Sequence, residues 1–383
     1  MLAWRIKGTK KFVSYLKGNE KGGMALVGSL LWKPVYGPRI IVVVIMLILG
    51  FLAPLKQVPA NNEKRPPESG DNEQKKIVAG WLPYWDTQAG KSSITEFPGA
   101  LTEISPFWYT LAEDGNIDVP NGSEDKGLLD VIRGQGQKVI PTISSPNEGV
   151  AGNVLNDAQK RQFHIDRIIS KIDEFQYNGI DIDYENMAAS DREAFNGFVK
   201  ELSAAIDSHN KKLVVTVNAK TAEPGGWYGA QSHDYAAIAE AADYVRIMAY
   251  DQHYRDGEPG PIASIAWVEE VIAFSLSKIP KEKLVLGLPT YGYDWTGSGS
   301  AKSMVFDNIP TDRPMGWDDA SASPFITYTH EGVFHQIWFE NSRSLEAKID
   351  LVQKYDLAGI VLWRLGREDK TTYPMIQKKL LAN

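Results

Sequence analysis

From residue 77 onward the chain repeats one pattern eight times. A short run of Val, Ile, Leu and aromatic residues, without a polar face, is in most cases followed by a helix-like stretch. The runs are Ile77–Trp85, Ile104–Thr110, Lys138–Ser144, Gly179–Tyr184, Leu213–Asn218, Tyr244–Tyr250, Leu284–Tyr291 and Gly359–Trp363. Segments of this length and composition read as strands buried on both faces. Between them, Arg192–Ile206 places Phe195, Phe198, Val199, Leu202 and Ile206 on one helical face, and Ser344–Tyr355 does the same with Leu345, Ile349 and Val352. Eight strands alternating with helices predict an α/β fold, a (β/α)8 TIM barrel over residues 76–383. A doubly wound open sheet would need a Gly-rich phosphate turn after the first strand, and that turn is absent. Residues 296–335 break the rhythm and are too long for an ordinary loop, which predicts a small insertion after strand seven.

The part before the barrel has a different character. Residues 1–39 carry eight Lys/Arg against one acid, whereas the other 344 residues carry 33 bases and 47 acids. The two parts therefore suit different surroundings. Residues 40–55 form a charge-free apolar run between Arg39 and Lys56, about 24 Å as a helix. A buried core helix and a cleaved signal peptide both permit such a run, but the charged flanks and the long basic leader favour an uncleaved transmembrane anchor. The positive-inside rule then makes 1–39 a cytoplasmic tail and puts the rest outside the cell membrane, in single-pass topology. Residues 56–75 are polar and Pro/Gly-bearing, as in a linker. The net charge of −7 argues against a nucleic-acid partner. The absence of Cys removes thiolate metal sites, disulfides and cysteine nucleophiles.

One segment carries chemistry. Residues 178–186 read Asn-Gly-Ile-Asp-Ile-Asp-Tyr-Glu-Asn. Side chains alternate along a strand, so Asp181, Asp183 and Glu185 share one face, and Ile180, Ile182 and Tyr184 share the other. In a barrel the isoleucines suit the helix layer, and the carboxylates climb the interior toward the C-terminal mouth, where barrel active sites lie. Carboxylates in close file raise at least one pKa, so Glu185 can stay protonated and act as a general acid. Single histidines such as His164 and His209 read as helix-surface or core residues, and Trp267 and Trp338 fall in or near helix-like segments.

The segment resembles the Asp-x-x-Asp-x-Asp-x-Glu signature of glycoside hydrolase family 18, the chitinase family. Asn178 stands where the signature has its first Asp, at a position expected to be the outermost support of the carboxylate file. Met248-Ala-Tyr250-Asp251 resembles the family's Met-x-Tyr-Asp at strand six, Leu286–Trp295 its strand-seven motif, and Trp363 the Trp that floors the sugar pocket. Trp81–Trp85 and Phe107–Tyr109 fall where strands one and two supply aromatics. The resemblance spans about 77–368, with a weaker likeness to the bacterial branch of spore cortex-lytic and related cell-wall enzymes.

The resemblance implies retaining hydrolysis of an N-acetylated polysaccharide or oligosaccharide, peptidoglycan or chitin-type, assisted by the substrate's 2-acetamido group. Glu185 would be the acid and then the base, Asp183 would hold the acetamide N–H, and Asp181 would share a proton with Asp183. Tyr250 would align the acetamide oxygen. Trp363 would stack on the sugar, with Tyr84, Asp251, Tyr291 and Phe107 as further substrate contacts. No metal or cofactor is implied, and the chain is expected to act as a monomer. The alternative is a non-catalytic glycan-binding or scaffolding member of the same fold, which would need Glu185 to be missing.

Overall fold

A computed structural model describes residues 75–297 and 299–382. The eight apolar runs all form strands, and together they close a parallel barrel. The staves are β1 (Ile77–Pro83), β2 (Glu103–Leu111), β3 (in two pieces, Lys138–Val139 and Thr142–Ser144), β4 (Gly179–Asp183), β5 (Lys212–Asn218), β6 (Tyr244–Met248), β7 (Leu284–Pro289) and β8 (Gly359–Trp363). Each pairs in parallel with the next, and β8 returns to β1. The closing seam needs a glycine. Gly359 has φ +159°, and a Cβ there would lie 1.9 Å from the Ile77 carbonyl oxygen.

Alternation along the strands sorts side chains into two layers. The outward set packs under the helices in one continuous core that includes Ile180, Ile182 and Tyr184 of the β4 segment. Helix Arg192–Ser208 buries all five of the apolar residues its periodicity singles out, and helix Ser342–Lys354 buries its three. His164 is a core histidine with no exposure. The inward set is partly apolar, with Ile77, Ala79, Trp81, Val285 and Val361 in one cluster. The rest of it is polar: Glu103, Ser105, Thr142, Asp181, Thr216 and Arg246 are all buried. The runs therefore do have a polar face, turned to the barrel axis rather than to water.

The insertion after β7 is larger than 296–335. It begins at Tyr291 and ends at Phe339, as a five-stranded antiparallel sheet. Its first strand, Tyr291–Trp295, follows β7 after the single residue Thr290, so apolarity alone runs the two together. Trp338 lies on the strand Val333–Phe339 of this sheet, not in a helix. Among the described residues no helix is long and apolar enough to cross a membrane. The expected tail, anchor and most of the linker, residues 1–74, lie outside the described residues.

Candidate active site

Asp181 and Asp183 point into the barrel from β4, both buried, with Glu185 half-buried two residues beyond. The lowest of the three is saturated with donors. Asp181 accepts from Trp81 Nε1 at 2.9 Å, Thr142 Oγ1 at 2.8 Å, Thr216 Oγ1 at 2.8 Å and Arg246 Nη1 at 2.9 Å. Arg246 also donates to Ser105 Oγ at 2.7 Å, and its other terminal nitrogen lies 3.6 Å from Glu103. A guanidinium thus balances two buried carboxylates beneath the site. Three of these donors meet Oδ2, and Thr216 alone among them meets Oδ1.

Asp183 is the opposite case. Its Oδ1 is buried and has no hydrogen-bond partner among the described residues. Burial, then the neighbouring charges of Glu185 and Asp181, pushes its carboxyl well above the usual carboxylate range. Burial also raises Glu185, with Asp251 adding to the effect. Both acids are shifted toward holding a proton longer than a free carboxyl does, the direction a general acid needs. The Tyr250 phenol is pushed up by burial and then by the charges of Asp183, Glu185, Asp251 and Asp181. Asp251 sits at φ +58° beside it and accepts from the hydroxyls of Tyr291 and, at 3.0 Å, Tyr293. Those two tyrosines root the inserted sheet against the mouth of the barrel.

Aromatic rings line one side. Trp363 ends β8, its ring centroid 5.8 Å from Trp81 and 5.2 Å from Phe107, both edge-on. Trp363, Phe107 and Tyr250 pack on the apolar cluster of the barrel interior. Trp85 continues the run 6.1 Å beyond Phe107 and is 44% exposed. Tyr84 packs against the helix-layer core and meets Trp85 edge-on. On the other side Tyr250 and Tyr291 lie 6.2 Å apart and lead to Tyr293, Trp295 and Trp338. Half-buried ring faces of this kind suit the C–H surfaces of a pyranose.

Asn178 is not a support of the carboxylate file. It is an odd number of residues from Asp181, exposed and just before β4, and its Oδ1 accepts the Val139 N–H at 2.8 Å. An amide oxygen makes that bond as a carboxylate would, so the exchange leaves the interior file untouched. The residues that sequence reasoning missed are Arg246, Thr142, Thr216 and Glu103. Their signal was phase: Arg246 stands two residues before Met248, the last residue of β6, and four before Tyr250 just past it, and so falls in step with both.

Residues 110–368 match the glycosyl hydrolases family 18. The chain is 30% identical to the cortical fragment-lytic enzyme of Bacillus subtilis over 281 residues, 70% of this chain and 65% of that protein. It superposes on the spore cortex-lytic enzyme SleL of Bacillus megaterium QM B1551 with a TM-score of 0.72, at 23% identity, covering 81% of this chain and 75% of that one. It superposes on a chitinase from Chromobacterium violaceum with a TM-score of 0.75, at 23% identity, covering 80% and 100%. At these identities the superpositions establish a shared fold, while the family match spans most of the chain, from the end of β2 past β8. The file of acids along and just past β4 lies within that match, and this chain belongs to glycosyl hydrolases family 18 and is a glycosidase.

Proposed function

We propose that the enzyme hydrolyses β-linked glycan containing N-acetylglucosamine, with retention, using the substrate's own 2-acetamido group as nucleophile. The observation that carries this reading is the bare, buried Oδ1 of Asp183 beside a half-buried Glu185. An acetamide N–H is a donor of the kind that oxygen lacks. Glu185, holding the proton of the pair, gives it to the glycosidic oxygen as the C–O bond breaks. The acetamide oxygen bonds to the anomeric carbon, and Asp183, left as a carboxylate, accepts from the N–H and balances the oxazolinium charge. The Tyr250 hydroxyl donates to the acetamide oxygen and aims it. Glu185, now ionised, takes a proton from the water that opens the ring. Trp363 supplies the face on which the reacting sugar rests, with Phe107, Asp251 and Tyr291 around it.

A thiazoline mimic of the oxazolinium is therefore expected to inhibit competitively. Turnover indifferent to that mimic would remove the acetamide from the mechanism. Peptidoglycan is favoured over chitin, because the relative with the highest identity quoted above is named for lysis of cortical fragments. Incubation of the enzyme with both polymers, followed by mass spectrometry, is expected to release N-acetylglucosamine reducing ends from peptidoglycan at the higher rate. The basic residues 1–39 and the apolar run 40–55 support a single-pass anchor, with the barrel held outside the cell membrane near that layer. A reporter fused after residue 60 is expected to be accessible from outside the cell; a cytoplasmic signal would reverse the topology.

A further inference from the structure

The strand that carries the acid runs out of ladder just before it. Pairing between β4 and β5 ends at Ile182 and Val215, so Tyr184 and Glu185 project beyond the last paired residues. Loose backbone at this point would leave the Glu185 carboxyl free to wander.

The gap is filled by a histidine that the mechanism does not use. His233 is fully buried, on the segment after β5. Its Nδ1 accepts the N–H of Asn218, the last residue of β5, at 3.2 Å. That contact puts the ring proton on Nε2, which lies 3.1 Å from the Tyr184 carbonyl oxygen and donates to it. The imidazole thus replaces a ladder hydrogen bond, spanning two strands that diverge at the barrel mouth. Asn218 Nδ2 reaches the Glu185 carbonyl at 3.4 Å, and Gly229 packs so closely there that a Cβ would lie 2.3 Å from the same oxygen. The ring itself is braced. The buried Lys220 donates to the His233 carbonyl at 2.6 Å and pairs with Glu223, and Phe195 packs on the imidazole at 5.5 Å. Burial, with the Lys220 and Arg192 charges, holds the imidazole pKa down at about 3, so the ring stays neutral.

We propose that His233 is a positioning residue for the general acid, a neutral wedge that fixes the Tyr184–Glu185 peptide and with it the reach of the Glu185 carboxyl. The inference rests on the reading of Glu185 given above. A displacement of about 1 Å at a reacting group lowers turnover by roughly a hundredfold.

The test compares His233→Leu, which removes both hydrogen bonds, with His233→Gln, whose amide can accept and donate at similar spacing. With the full chain and peptidoglycan fragments, His233→Leu is expected to lower kcat about a hundredfold with KM within a few-fold of wild type. His233→Gln is expected to recover most of the loss. The alkaline limb of the kcat profile belongs to Glu185, faced by Asp183, Tyr250 and Asp251. It should move to lower pH in His233→Leu, as the displaced carboxyl meets more water. A merely structural role would lower the folded fraction, leaving kcat per folded enzyme and that limb unmoved, and such a result would overturn the proposal. Equal loss in both variants would overturn it too. If His233→Leu does not fold, nitrogen-15 spectra of the wild-type ring decide: an Nε2–H tautomer unchanged between pH 5 and 8 is expected, and an Nδ1–H or charged ring defeats the wedge. The loss of turnover in Glu185→Gln is the reference; a Glu185→Gln variant that keeps wild-type turnover overturns the reading of Glu185 and this inference with it, whereas a failure confined to the His233 variants leaves that reading standing.

Discussion

Glu185→Gln is expected to lower release of reducing ends by about a hundred- to ten-thousand-fold, the range a positioned general acid supplies. The amide keeps the shape and loses the proton. Substrate affinity should change little, because the rings of Trp363, Phe107 and Tyr250 remain. Stability should move the other way. Burial raises the Glu185 pKa in the folded chain, so the protonated form is the one the fold favours. Its contribution is fully present below the unfolded value, about 4.3, and is lost as pH rises through the folded value. Gln carries no such charge at any pH. The variant should therefore melt above wild type at neutral pH, with the difference vanishing toward pH 4. The alkaline limb of wild-type turnover should follow the same titration, falling as Glu185 loses its proton. Activity near wild type in Glu185→Gln would remove the acid from the mechanism, and a lower melting temperature at neutral pH would show that the carboxylate is satisfied rather than strained by its site.

The same strand shows why some of this was legible in the sequence and some was not. Period-two alternation places Asp181, Asp183 and Glu185 together without any structure, and the apolar partners Ile180 and Ile182 tell which face is which. Eight such runs at helix-sized intervals leave few closed arrangements besides a barrel. The same rule applied to Asn178 would have taken it out of the file, since its parity is wrong; the family pattern pulled it in. Arg246 was missed for a different reason. A single charge inside Tyr-Val-Arg-Ile-Met looks like an interruption of a hydrophobic run, and only its phase with Tyr250 turns it inward. The insertion was placed five residues late because Tyr291–Trp295 follows the stave after the single residue Thr290, and the change from parallel to antiparallel pairing leaves no mark on composition. His233 carries no local signal, because its role depends on two strands parting.

The second large effect is expected at the bottom of the site. Arg246 is 1% exposed, with Asp181 at 0% and Glu103 at 2%. Arg246→Met keeps much of the side-chain length and removes the only Arg or Lys that pairs with Asp181 among the described residues. Glu103 keeps Lys138 at 3.5 Å, so Asp181 bears most of the change. A buried carboxylate without its cation costs about 3–5 kcal/mol, more than the pair contributed when intact. Chemical denaturation at pH 7 should report a loss of that size. Adding Asp181→Asn should recover most of the stability, since Trp81, Thr142 and Thr216 can be answered by an amide, in part. Turnover should stay low in both variants, because Asp183 then lacks the ordered charge beneath it against which its own carboxylate is set. A loss below about 1 kcal/mol would mean that water reaches Asp181 when the guanidinium is gone, and the interior file would then be a solvated channel rather than a buried array.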